Sequence, residues 1–129
     1  MFGPCSCGSG IAAEHCCDPY LLNGQLPETP EQLMRSRYSA YARGGFGDYL
    51  LRTWFPATAQ GLTAAQLSRK ECDWLRLEVL THTQQGNQGT VEFKAYYRDS
   101  RGESKILHEK SVFQRIGKRW FYVGGEVGC

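Results

Sequence analysis

No run of the 129 residues is long and uniformly apolar enough to predict a membrane-spanning helix, which needs roughly 20 consecutive apolar residues. The amino terminus lacks the basic and apolar regions of an export signal, so the expected compartment is the cytoplasm. Charge of a single sign is missing too. Fifteen basic against 13 acidic residues leave a net +2, too little to draw nucleic acid by electrostatics alone. Internal repeats and low-complexity tracts are absent from the sequence. What is there, 41% hydrophobic and 12% aromatic residues, is a globular composition in a chain of one domain's length.

Cysteine is sparse except at the start. Of six, four fall within CSCGSG (5–10) and CC (16–17). In a reducing compartment, clustered cysteines more often bind metal or react than form disulfides. Cys5 and Cys7 form one close pair, Cys16 and Cys17 another, and a glycine-containing turn separates them. That spacing suits one tetrahedral ion with two ligands from each pair, and zinc in a closed structural site is the expected cofactor. Gly8 and Gly10 would let backbone amides approach and offset thiolate charge. Metal binding can order a segment that has no core of its own. His15 is an alternative ligand beside the second pair. A redox dithiol at Cys16-Cys17 is a further reading, disfavoured because vicinal cysteines rarely bridge without strain. Cys72 is expected at a helix end in the core, and Cys129 at the exposed terminus.

Residues 1–22, dense in Cys and Gly, read as this small knuckle, residues 23–30 (NGQLPETP) as a linker, and 31–129 as the main domain. Thr29, Pro30 and Gln32 predict a capped helix start, and Gly44-Gly45 its stop. Leu33, Met34, Tyr38 and Tyr41 form one helical stripe with Arg37 in its middle. GDYLLRTWFP (47–56) predicts a second helix capped by Asp48 and ended by Pro56. A Thr63–Gln66 capping box predicts a third, ending near Cys72. From there the period changes to two. WLRLEVLTH (74–82) puts Leu75, Leu77 and Val79 on one face and Trp74, Arg76, Glu78 and His82 on the other. TVEFKAYYR (90–98), SKILHEKSVFQRI (104–116) and WFYV (120–123) supply three more strands. Three helices followed by four strands on short turns predict an α+β domain whose antiparallel sheet packs one face on the helices.

Arg37 has two readings. It either snorkels, its stem covering apolar surface, or enters a pocket and meets an anion or carboxylate. Glu109 shares a face with Ser111 and Phe113, so if Phe113 points at the helices the carboxylate does too, and Arg37 is its candidate partner. One version is a buried ion pair fixing helix against sheet. The other is a ligand pocket of Arg37, Tyr38, Trp54, Glu109 and Trp120, apolar with a few convergent polar groups. His82 and His108 read as surface or packed residues. GKRWFY (117–122) reads as a hairpin turn and strand rather than a base-stacking platform, so nucleic acid is not an expected partner.

CSCGSGIAAEHCC (5–17) resembles the SEC-C motif, the zinc-binding tail of the SecA translocation ATPase and of many other bacterial proteins. Cys5, Cys7, Cys16 and Cys17 match its four ligand positions and Gly8-Ser9-Gly10 its turn. The lysines usual between the pairs are replaced here by IAAEH. In the ATPase that basic surface contributes to binding a chaperone and the ribosome. CCDPYL (16–21), PEQLMRSRYSAYARGGFGDYLLRTWFP (30–56) and EKSVFQRIGKRWFYVGG (109–125) resemble the YchJ family of small bacterial proteins. That resemblance implies a nuclear transport factor 2-like cone, with helices against a curved antiparallel sheet. It brings no established activity. The SEC-C resemblance implies an interaction module or adaptor whose knuckle docks a protein or ribosomal partner, with a small-ligand receptor or enzyme using the cone pocket as the alternative.

Overall fold

A computed structural model describes residues 5–68 and 73–128, with side chains through residue 125. Cys72, Cys129 and the end of the third expected helix lie outside the described residues. A 3-10 turn at Ala13–His15 leads into α1 (Asp18–Leu22), then α2 (Pro30–Arg43), α3 (Gly47–Arg52) and α4 (Ala64–Leu67). The strands are β1 (Asp73–Gln85), β2 (Gln88–Arg98), β3 (Ser104–Ile116) and β4 (Arg119–Gly128), antiparallel in the order β1-β2-β3-β4. This is the expected α+β meander, with α1 as an unforeseen single turn behind the cysteines. Among the described residues, no helix is long and apolar enough to cross a membrane.

Local chemistry sets the helix ends. The Thr29 side chain accepts from the Gln32 backbone N–H at 3.1 Å, but the Gln32 amide oxygen reaches Glu28 N–H instead of closing the box on Thr29. Gly44, at φ 73°, ends α2. Thr63 and Gln66 form a complete reciprocal box at α4. Asp48 is not the cap of α3. The helix begins a residue earlier, and its first N–H, on Gly47, is taken at 2.8 Å by the Ser68 hydroxyl at the end of α4. Asp48 stays in the first turn, where a negative charge favours the helix dipole. The helix stops at Arg52, short of Pro56, because residues 53–55 turn to pair with β4. Tyr122 N–H donates to the Thr53 carbonyl at 2.8 Å and Phe55 N–H to the Tyr122 carbonyl at 2.7 Å. That strap covers part of an edge strand that would otherwise present unpaired backbone.

The sheet follows strict alternation on β2 and β3. Val91, Phe93 and Ala95 are buried, as are Ser111 and Phe113, so Phe113 does face the helices and carries Glu109 to that side. On β1 the alternation breaks twice, between Trp74 and Arg76 and between Val79 and Thr81. Leu75 and Leu80 are the extra residues of these bulges, and each bulge re-aims what lies beyond it. Leu75 is therefore 51% exposed, Trp74 shares the helix side with Leu77, and His82 reaches Glu31 of α2 at 3.1 Å. Both the inward Leu75 and the outward Trp74 and His82 expected from period two are corrected by the bulges.

The α3–α4 junction is tight. A methyl group at Gly47 would lie 1.8 Å from the Ala64 carbonyl oxygen. Gly47→Ala is expected to destabilise the fold by about 2 kcal/mol or more, as overpacking against backbone does. The urea midpoint measures this, and an unchanged midpoint would show that the junction yields.

Candidate functional site

Two sites lie on opposite stripes of α2. The first is the cysteine cluster. Its fixed points are backbone contacts within the loop, with Cys5 N–H donating to the Ile11 carbonyl at 2.8 Å and Gly8 N–H to the Cys5 carbonyl at 3.2 Å. Gly8 has φ +80°, and a Cβ there would meet the Leu77 carbonyl oxygen at 2.8 Å, so glycine lets the loop lie directly on β1. Arg35 donates to the Cys7 carbonyl at 2.9 Å while paired with Glu31, Ser39 holds Cys5 and Ser6, and Arg43 pairs with Asp18 at 2.6 Å.

These contacts bring the Cys5, Cys7, Cys16 and Cys17 sulfurs within 4.8 Å of one another. The Cys7–Cys16 separation is 3.5 Å and Cys16–Cys17 is 3.9 Å, and all four are free thiols. Four sulfurs at about 2.3 Å from one tetrahedral ion stand about 3.8 Å apart, so the donor set fits a metal such as zinc. Hydrogen bonding with Cys17 and then Cys7 pushes the Cys5 thiol far down, while contacts with Cys5 and Cys7, and then burial, push Cys17 up. Cys16 is pushed up to about 11, chiefly by burial. His15 stands outside the cluster, its side chain 76% exposed and turned toward Glu14.

The second site is a cavity of about 180 Å³ between α2 and the sheet. Tyr38, Trp54 and Trp74 line it beside Arg37 and Glu109, with Tyr41 and Tyr122 completing its polar side. Trp74 meets Tyr38 edge-on at 6.0 Å. Arg37 is only 2% exposed, so it does not snorkel. Neither does it form a direct ion pair with Glu109 among the described residues. Its Nη1 donates to the Leu50 carbonyl at 2.8 Å and the Thr53 hydroxyl at 2.7 Å, and its guanidinium lies 4.9 Å and 4.7 Å from the Trp54 and Tyr122 ring centres. Burial pulls its pKa down against stabilisation by nearby tyrosines and Glu109. Glu109 instead accepts at Oε2 from Ser111 and, at 3.1 Å, from the Tyr122 hydroxyl. Gly125 leaves the space in which that carboxylate lies, since a Cβ there would fall 2.7 Å from Oε2.

Of the expected pocket residues, Arg37, Tyr38, Trp54 and Glu109 meet in this cavity and Trp120 does not. Trp120 is on the same side of β4, but two residues nearer the β3–β4 turn, where its Nε1 donates to the Glu28 carbonyl at 3.1 Å under the linker. Tyr122, opposite Phe113, takes the place expected for it. Sequence reasoning also missed Trp74, which the first β1 bulge turns inward, and Tyr41, already visible in the helical stripe.

The model for the YchJ middle NTF2-like domain matches residues 29–125. A UPF0225 protein of Serratia proteamaculans is 41% identical over 126 residues, covering 94% of this chain and 81% of that one. Another, of Ralstonia nicotianae, is 42% identical over 137 residues, covering 95% and 90%. The solution structure of a SEC-C motif containing protein from Rhodopseudomonas palustris superposes with a TM-score of 0.88 at 38% identity, covering 98% of this chain and 99% of that one.

Arg37→Ala is expected to cost about 3 kcal/mol, because it removes the charged donor shared by the Leu50 carbonyl and the Thr53 hydroxyl and opens a void. Arg37→Lys should recover less than half, since a compact ammonium cannot keep both Nη1 hydrogen bonds and also lie against the Trp54 and Tyr122 rings. Urea denaturation measures both, and a loss under about 1 kcal/mol would show that Arg37 holds nothing in place. Buried Tyr49, bonded to Ser36 at 2.7 Å, is pushed up to about 12 from an ordinary 10.0, mainly by burial. The unfolded chain ionises first, so stability present below pH 10 should fall as pH rises toward 12. Parallel unfolding and 295 nm titrations check this, and a flat profile across that window would contradict it.

Proposed function

The chain belongs to the YchJ family, and we propose that it is a zinc-holding SEC-C protein whose knuckle docks a protein or ribosomal partner. The observation that carries this reading is the set of four convergent cysteine sulfurs. A closed sulfur set leaves no open position for a reacting water, which favours a structural and interaction role over catalysis at the metal. Zinc there would supply folding energy, about 10–16 kcal/mol of apparent binding in zinc-finger peptides, to a segment with little core of its own. A cytoplasmic setting, reducing enough to keep four thiols free, is part of the proposal. Beside the cluster, Ser9, Ile11, Tyr20, Glu31 and Arg35 line a groove, and Ile11 projects with half its surface exposed. An apolar residue held out by a rigid loop is the kind of anchor a partner can bury.

Metal analysis should find one zinc per chain, and none in the Cys5→Ser/Cys7→Ser variant. Chelation should remove amide-exchange protection from residues 5–22 while the sheet keeps its own. A fully protected metal-free knuckle would overturn the structural role. Ribosome co-sedimentation should be lost in that double variant and in Ile11→Glu, which keeps its zinc. Equal pelleting of all three proteins, or none by the wild type, would remove the ribosome as partner.

A further inference from the structure

The cavity under α2 is chemically independent of the cysteine cluster. Its walls are mainly apolar and aromatic, and its volume of about 180 Å³ is slightly larger than the roughly 150 Å³ of an apolar cavity that admits benzene. Two formal charges border it, Arg37 and Glu109, and they cancel. A charged guest would therefore bring an uncompensated charge into an apolar space. Arg37 commits Nη1 to Leu50 and Thr53, and its guanidinium carbon lies 4.9 Å and 4.7 Å from the Trp54 and Tyr122 ring centres. Glu109 is only half committed. Ser111 and Tyr122 both donate to Oε2, and Oε1 has no hydrogen bond among the described residues. Nor is Oε1 a sealed, unsatisfied atom. A carboxylate oxygen can only accept, so what it meets must donate.

We propose that this cavity binds a small neutral aromatic molecule with one hydrogen-bond donor, of the phenol class. Its ring lies among Tyr38, Trp54 and Trp74, and its O–H donates to Glu109. Ala95, buried at the cavity wall, sets how much ring the site admits. Tyr122 and Ser111 hold the carboxylate with one oxygen turned to them and the other left for the guest.

The test uses the full chain and four fluorinated probes followed by 19F NMR. These are 4-fluorophenol, fluorobenzene, 4-fluorobenzoate and 4-fluorobenzylammonium. 4-Fluorophenol should bind about tenfold or more tighter than fluorobenzene, the effect of one hydrogen bond to a charged acceptor. Neither ion should bind at the same concentrations. Quenching of Trp54 and Trp74 should follow the same titration and persist in Trp120→Phe. Ala95→Met should abolish binding of both neutral probes. Glu109→Gln keeps its amide oxygen for Ser111 and Tyr122 and so presents NH2 to the guest. It should weaken 4-fluorophenol to the level of fluorobenzene and leave fluorobenzene unchanged. Equal affinity of the two neutral probes for the wild type, tighter binding of either ion, or no binding by any probe would overturn the proposal. That decision needs no variant to fold.

Discussion

A buried cation organises this domain. Arg37 leaves water almost completely, and a charge so placed must be compensated by groups held in fixed positions. Compensation comes from three directions. The Leu50 carbonyl belongs to the last turn of α3, where the helix dipole is negative and carbonyls lack intrahelical donors. The Thr53 hydroxyl and Trp54 ring come from the strap, and the Tyr122 ring comes from β4. One side chain of α2 thereby locks α3, the strap and the sheet edge to one another. The same arrangement explains why Arg37 and Glu109 do not pair directly. Tyr122 stands between their roles, presenting its face to the guanidinium and its hydroxyl to the carboxylate.

The helix that carries Arg37 has little free surface along its central turns. Met34, Arg37, Tyr38 and Tyr41 recur at helical spacing on the cavity side. Arg35, Ser39 and Arg43 recur four apart on another side and reach Cys7, Cys5 and Asp18. Ser36 and Ala40 fill the space between. The cysteine loop is thus seated on polar side chains of the same helix whose apolar stripe faces the sheet. Cys5, Cys7 and Cys17 are buried together with the core residues of the domain. The two sites share this helix but no ligand-facing residue.

Much of this was legible in the chain. Thr29 and Thr63 marked helix starts because a side-chain oxygen must satisfy N–H groups that no earlier turn can reach. Val91, Phe93 and Ala95 sorted to the inner face because period two allows no other arrangement once one residue is placed. The mixed faces of β3 left its inner side open until the structure placed Ser111 and Phe113 there. The sulfur cluster was legible as well, since close pairs of cysteines around a glycine turn bring four donors to one point. Other features were not. The bulges at Leu75 and Leu80 have no local signature, because both are good strand residues. What excludes them from the register is the length of β1 relative to β2, a property of the pair. Asp48 failed as a cap because α3 begins at Gly47, whose N–H donates to Ser68, 21 residues along the chain.

The sequence by itself determined the types of the main elements, the inner face of β2 and the four sulfur donors. All of these follow from short-range periodicity, capping and spacing. Only the tertiary structure decided which polar groups meet in the interior. It sent Trp120 beneath the linker and Tyr122 to Arg37, brought Trp74 inward and left His15 outside the sulfurs. The physical reason is that a buried polar group is placed by its partners. Those partners lie on segments that only the packed helix and sheet bring together.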